Sequence, residues 1–409
     1  MRLQPTLLLL ALVANAAAAQ QKPRARDLGV PFDGTPGPLN AITDVAGVEV
    51  GQRTIIRGNG KLVIGKGPVR TGVTAILPRG KQNDEPVFAG WFTLNGNGEM
   101  TGTTWLQESG FLNGPVALTN TLSVGVVRDA VISWSVKHGR EAWDMALPVV
   151  AETWDDPLND LVGMHIKPEH AFQALDAATG GLVQEGNVGG GTGMVCHEFK
   201  GGIGTASRTL TVKDGGYTVG VLVQCNCCGR ERLMISGVPV GREIPDLMPC
   251  VTIDNPTAEW LKTEPKCAPD QRGSSLDRPP GRDGSIIVIV ATDAPLLSSQ
   301  LKRIATRVSL GIGRMGGLGN DSSGDIFLAF STAPTGWVRD SSTATVKMVV
   351  NERMNPLFEA TVQATEEAIV NAMVAAETMT GADGVRVFAL PHDRLMAAMG
   401  KYGRAAVGH

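Results

Sequence analysis

Gly281-Arg-Asp-Gly-Ser285-Ile-Ile-Val-Ile-Val-Ala-Thr-Asp293 is the stretch that decides how this chain is read. A turn-prone tetrapeptide runs directly into a β-branched apolar strand, and the first residue of that strand is a serine. Upstream, residues 262–282 mix proline, charge and glycine (Lys262-Thr-Glu-Pro-Lys-Cys-Ala-Pro-Asp-Gln-Arg-Gly-Ser-Ser-Leu-Asp-Arg-Pro-Pro-Gly-Arg282). Prolines remove backbone donors and the polar residues have nothing to bury, so neither a helix nor a central strand is expected there. A flexible linker (262–284) ending on a strand headed by a nucleophile-capable serine is the pattern of a chain built to be cut before Ser285. Taken alone, Asp283-Gly284 also reads as a plain turn with Ser285 as a solvated strand end. The remainder of the chain decides between the two.

The chain has 409 residues, 43% hydrophobic and 19% charged, with a formal net charge of -3. This is a globular composition, long enough for one large domain or two small ones. The near-neutral balance and the lack of a Lys/Arg block argue against nucleic acid as a partner. The N-terminus has the layout of an export signal: Arg2, an apolar run from Thr6 to Ala14, then small residues Ala16–Ala19 for cleavage before Gln20. That run is too short to span a bilayer and no later one reaches about 18 apolar residues, so no membrane span is expected. The mature protein is expected to be periplasmic or secreted, where disulfides are allowed. Cys225, Cys227 and Cys228 crowd one segment, while Cys250 and Cys267 flank the start of the linker, spaced to permit but not require a bridge. Cys-x-Cys-Cys lacks the paired spacing of a structural zinc site, and no metal is expected.

Strands are predicted around Val48–Val50, at Val73–Leu77 and at Val87–Phe92, followed by Asn/Gly/Thr loops over 93–120 that include Leu94-Asn-Gly-Asn-Gly-Glu-Met100. Leu122–Ser135 reads as a strand leading into a helix, Ala171–Thr179 as a helix and Glu185–Met194 as a glycine-rich loop. Arg208–Val212 and Tyr217–Gln224 read as a hairpin joined by Lys213-Asp-Gly-Gly216. After Ser285 come an apolar strand (Ile286–Val290) and a helix with Asp293 as N-cap, Pro295 in its first turn and Leu297, Leu301, Ile304 and Val308 on one face. Strands at Ile326–Phe330 and Ala344–Val350, a helix from Asn355 to about Met379 and a last strand at Val385–Ala389 complete the order. Strands and helices mix without a strict βαβ repeat, which indicates a layered α/β or α+β sandwich.

No familiar catalytic signature accounts for the chain. Gly311-Ile-Gly-Arg-Met-Gly316 follows a helix instead of a strand, the reverse of a dinucleotide fingerprint, and Gly189–Gly193 lacks the Lys-Ser/Thr of a phosphate loop. There is no Gly-x-Ser-x-Gly elbow, and the six histidines are scattered. A hydrolase here needs another base, and Ser285 supplies one. Cutting Gly284–Ser285 frees an α-amine a few bonds from the Ser285 hydroxyl, and at an unperturbed pKa of about 7.7–8 part of it is free base near neutrality. One residue then carries nucleophile and base, as in N-terminal threonine and serine hydrolases. Gly284, without a Cβ, can adopt a strained backbone and let the Ser285 Oγ approach its carbonyl.

Long strings of the chain resemble the DmpA-type family of L-aminopeptidase/D-amidase/D-esterase enzymes and β-peptidyl aminopeptidases. They are Gly284–Leu297, Leu301–Ala305, Ser323–Thr332, Gly34–Val45, Leu147–Trp154, Gly186–Met194 and Val219–Gln224. The resemblance implies the α+β class, as a four-layered αββα sandwich like that of N-terminal nucleophile hydrolases but differently connected. It implies one catalytic domain made of an α chain (20–284, after a signal peptide over 1–19) and a β chain (285–409), assembled as a tetramer of αβ units. It implies Ser285 as nucleophile, Ser323 and Asp325 tuning its amine, and Asn226 donating to the oxyanion. Glu152 would bind the substrate ammonium beside Trp154, which stands where other members carry Tyr. Asp325 stands where some relatives have Glu. The implied reaction removes the N-terminal residue from short peptides, amides or esters, without cofactor or metal. Serine at 285 and the export signal set the chain apart from the threonine-dependent ornithine acetyltransferase branch. An uncut secreted binding protein on the same fold is the remaining alternative.

Overall fold

Every residue of the Ile286–Thr292 strand is buried, because both of its faces are covered. Its neighbours are Thr218–Cys225, antiparallel, and Gly324–Ser331, parallel. Such a strand reads as a continuous apolar run, not as an alternation. In the computed structural model, which describes residues 22–140, 147–268, 284–336 and 341–404, it lies inside a six-stranded sheet. The order is 111–112, 87–96, 324–331, 286–292, 218–225, 202–209. A second, four-stranded sheet runs 49–57, 69–77, 116–120, 149–153.

The period-two geometry of strands then sorts the side chains into layers. Ile287 and Ile289 point to the space between the sheets, where they meet Ile76, Leu118 and Val149. Ile286, Val288 and Val290 point the other way, onto a core built with helices Ser298–Arg314 and Asn355–Val374. On the far side, Val73, Ala75 and Val150 of the second sheet pack under Val127, Val131, Trp134 and Leu175. Those side chains come from helices Val124–Lys137 and Pro168–Asp176. The result is helix, sheet, sheet, helix: the expected αββα sandwich. Each fully buried Ile or Val contributes roughly 1.5–3 kcal/mol to holding the layers together. A small three-stranded sheet (250–251, 385–387, 379–380) is appended to this frame.

Several expectations are corrected. The helix after Ser285 begins at Ser298, where Gln300 Oε1 accepts from the Leu297 N–H at 3.1 Å. Asp293 is not its N-cap and instead accepts from the Thr218 N–H across the sheet at 2.8 Å. Residues 344–350 form no strand; Val346, Met348 and Val350 are exposed and only Val349 turns inward, its N–H bonded to the Pro295 carbonyl. An apolar alternation without a sheet edge to pair with stays irregular. Leu122–Ser135 carries no strand, because that strand lies earlier, at Val116–Asn120. The hairpin holds, with its first strand at Gly202–Thr209. Gly311 and Gly313 lie inside a helix, where Gly311 lets Thr365 of the neighbouring helix approach closely. Residues 1–19, expected as an export signal, and residues 269–283 of the expected linker lie outside the described residues.

Candidate active site

The larger sheet delivers four strand ends to one place. Cys225 stands opposite Ile286 in the antiparallel pair, so Asn226, one residue further, lies beside Ser285. Asp325 stands opposite Ile286 in the parallel pair, which brings Ser323 and Asp325 to the same end. The Val87–Gly96 strand returns antiparallel and sets Asn95 opposite Asp325. Glu152 and Trp154 come from the other sheet, at the end of Val149–Thr153. All of these border or underlie one cleft of about 1080 Å³, lined by Glu99, Glu152, Trp154, Asn226, Gly284 and Ser285 among others. No histidine lines it among the described residues.

The bonds specify the arrangement further. Ser285 is 7% exposed. Its Oγ accepts from the Gly324 N–H at 3.0 Å, and its carbonyl accepts from the Asn226 N–H at 3.1 Å. The Ser323 hydroxyl donates to Asp325 Oδ2 at 2.8 Å, while Asp325 Oδ1 accepts from the Ile286 N–H at 3.2 Å. Asn95 clasps the pair: its Nδ2 donates to Ser323 Oγ at 3.0 Å and its Oδ1 accepts from the Asp325 N–H at 2.9 Å. Sequence reading passed over Asn95 as part of an Asn/Gly loop. The only signal was the asparagine itself, an amide able to donate and accept at once.

Asn226 has its amide orientation fixed. Oδ1 accepts from the Val195 N–H at 2.7 Å, so Nδ2 faces the other way, donating to the Trp154 carbonyl at 2.8 Å. Nδ2 carries a second hydrogen. The Asn226 side chain lies against Gly284: a Cβ there would stand 2.6 Å from Nδ2 and 1.8 Å from the Asn226 carbonyl oxygen. Glycine at 284 is what permits this close approach of the Asn226 carbonyl and side chain.

Glu152 is 3% exposed, with Oε1 accepting from the Glu99 N–H at 2.9 Å and Oε2 from the Thr121 hydroxyl. Burial pushes its carboxyl above the ordinary range, against the pull of those two bonds. A cation docked in the cleft would favour its charged form. Trp154 is 47% exposed on the cleft wall. The cysteines pair as Cys196–Cys225, Cys227–Cys228 and Cys250–Cys267. Among the described residues the one side-chain cluster with metal-like spacing is Cys196, Cys225 and Cys227, all engaged in these bridges.

A family model, peptidase family S58, matches residues 40–387. The chain belongs to this family. It is 53% identical, over 98% of both chains, to the β-peptidyl aminopeptidase BapA of Sphingosinicella microcystinivorans. To the BapA of Sphingosinicella xenopeptidilytica it is 49% identical, over 96% of this chain and 94% of that one. Among solved structures it superposes on the L-aminopeptidase D-Ala-esterase/amidase of Ochrobactrum anthropi with a TM-score of 0.81 at 44% identity, covering 94% of this chain and 100% of that one. That protein is described as a prototype for the serine aminopeptidases and a new variant among the Ntn hydrolase fold. The S58 chain is thus an aminopeptidase on a variant of the N-terminal-nucleophile hydrolase fold, which retires the binding-protein alternative.

Proposed function

We propose that the chain cuts itself between Gly284 and Ser285 and then works as an N-terminal serine hydrolase, removing N-terminal residues, β-aminoacyl ones included, from short peptides, amides and esters. The observation that carries this reading is the placement of Asn226 Nδ2 against Gly284 while Ser285 Oγ sits in the same cleft. In self-cleavage, Oγ attacks the Gly284 carbonyl, the peptide nitrogen leaves as the Ser285 amine, and water hydrolyses the ester. In turnover, that amine takes the Oγ proton as Oγ attacks the substrate carbonyl, then protonates the leaving group; water releases the acyl group from Ser285. Ser323, held by Asp325 and Asn95, would border the amine and keep it oriented. The inclusion of β-aminoacyl substrates follows the names of the two Sphingosinicella relatives.

Intact mass and N-terminal sequencing of the purified protein test the reading. Two fragments, one beginning Ser-Ile-Ile-Val, support it; a single chain stable for days at neutral pH overturns it. Native mass of the same sample reads the proposed tetramer, and the α-chain N-terminus reads the proposed export cleavage before Gln20.

Two variants probe the parts separately. Gly284→Ala slows self-cleavage by about 100-fold or more, because the methyl has no space against Asn226 and displaces the bond from its attack geometry. Its readout is the fraction of cut chain over time; processing at the wild-type rate refutes it. Glu152→Gln raises KM for free-amine substrates on the order of 100-fold, the loss expected when a buried charge loses its partner, and barely alters self-cleavage. Equal effects on both would remove its assigned role. Because burial raises the Glu152 pKa, amine binding in the wild type weakens as pH falls through a value above the usual carboxylate range. The Gln variant lacks that step.

A further inference from the structure

We propose that the Cys196–Cys225 disulfide is a positioning device for the oxyanion donor, so that full activity requires the oxidised protein. The inference rests on the assignment of Asn226 above. Asn226 presents Nδ2 to the cleft in an orientation set by the Val195 N–H on Oδ1 at 2.7 Å and the Trp154 carbonyl on Nδ2 at 2.8 Å. Val195 immediately precedes Cys196, and Asn226 immediately follows Cys225, so the bridge joins the two backbones one residue from each end of this hydrogen bond. The two segments are also linked by the His197 N–H to the Cys227 carbonyl at 2.7 Å and by the Arg230 guanidinium to the His197 and Glu198 carbonyls at 2.9 Å each, bonds that lie further along both segments than the bridge. Buried Lys200 ties down the loop that carries Val195, its Nζ donating to the Met194 carbonyl at 2.6 Å and the Gly201 carbonyl at 2.9 Å. The bridge is fully buried among β-strand ends, and Gly201 packs against both Cys225 and Cys196. Without the covalent link the Val195 amide can drift, the carboxamide can rotate, and a shift on the order of 1 Å at a catalytic group costs about 100-fold.

Both cysteines must be changed together, because the sulfurs of Cys196, Cys225 and Cys227 lie within 4.8 Å of one another. A single thiol left there would exchange with the Cys227–Cys228 bridge. The experiment is a cycle of four self-processed proteins: wild type, Cys196→Ala/Cys225→Ala, Asn226→Ala, and all three changes, assayed on a β-aminoacyl p-nitroanilide. The bridge variant should lose about 100-fold in kcat with KM within about twofold, a loss confined to the transition state. In the Asn226→Ala background, removing the bridge should cost nothing further, since coupled residues are not additive. An equal loss in both backgrounds overturns the proposal and leaves Asn226 as donor. An Asn226→Ala protein with unchanged kcat overturns the donor assignment itself.

Reduction of the folded wild type gives a second reading that needs no variant. Dithiothreitol supplies two electrons and two protons per bridge and closes to its own cyclic disulfide. Activity should fall as buried thiols appear and return on reoxidation, with circular dichroism unchanged. Full activity with all six thiols titratable would sink the proposal.

Discussion

Ser285→Ala gives one uncut chain with no measurable aminopeptidase activity. The substitution removes a single oxygen, but in the proposed mechanism that oxygen has two successive duties: it attacks the Gly284 carbonyl, then every substrate carbonyl. Losing the nucleophile of a serine hydrolase costs on the order of 10⁶ in kcat. Here the loss is compounded, because the base is the amine that only the first reaction exposes. Misfolding does not account for the result. The alanine leaves the Gly324 N–H without its 3.0 Å acceptor, a cost of about 1–3 kcal/mol. The strand it heads remains buried between two neighbours along its whole length. A melting curve beside the gel separates the two explanations. Ser285→Cys, which keeps a nucleophile, should still produce some cut chain. A cut Ser285→Ala protein would end the self-processing reading.

Ser285 could be read from the chain directly, because it heads an unbroken apolar run behind a polar linker; Ser323, Asp325, Asn226 and Glu152 were legible only through the family resemblance. In the structure Ser323 and Asp325 flank Gly324 at the start of a second strand, and Asn226 follows the end of a third. What the sequence did not reveal is what depends on pairing between distant strands. Asn95 looks like a loop residue until the register sets it opposite Asp325. Cys196 gives no hint of Cys225, 29 residues away, until two short segments are laid side by side. The same blindness runs in the other direction at residues 344–350, where a convincing alternation finds no strand to join. At Asp293 a residue of the right type for a helix cap serves the neighbouring strand. Local pattern states what a segment can do, and tertiary context supplies the partner.

Asn226→Ala should slow turnover by about 10²–10³-fold, the usual cost of one oxyanion donor, about 2.7–4 kcal/mol. KM should change little, since the bond to the developing oxyanion strengthens only as charge appears. The amide is prepared for this in the uncut chain. One Nδ2 hydrogen is spent on the Trp154 carbonyl and Oδ1 on Val195, which leaves the second Nδ2 hydrogen for the carbonyl under attack beside Gly284. Self-cleavage passes through the same kind of oxyanion, so it should slow in parallel, visible as uncut chain in fresh preparations. Asn226→Asp keeps the shape but replaces both donors with a carboxylate next to the growing negative charge, and should be worse than alanine in both reactions. Turnover is best compared on chains that have finished cutting, so that the two rates are read separately. If Asn226→Ala slowed turnover but left self-cleavage untouched, the two reactions would not share an oxyanion site, and the common cleft assigned to them would have to be divided.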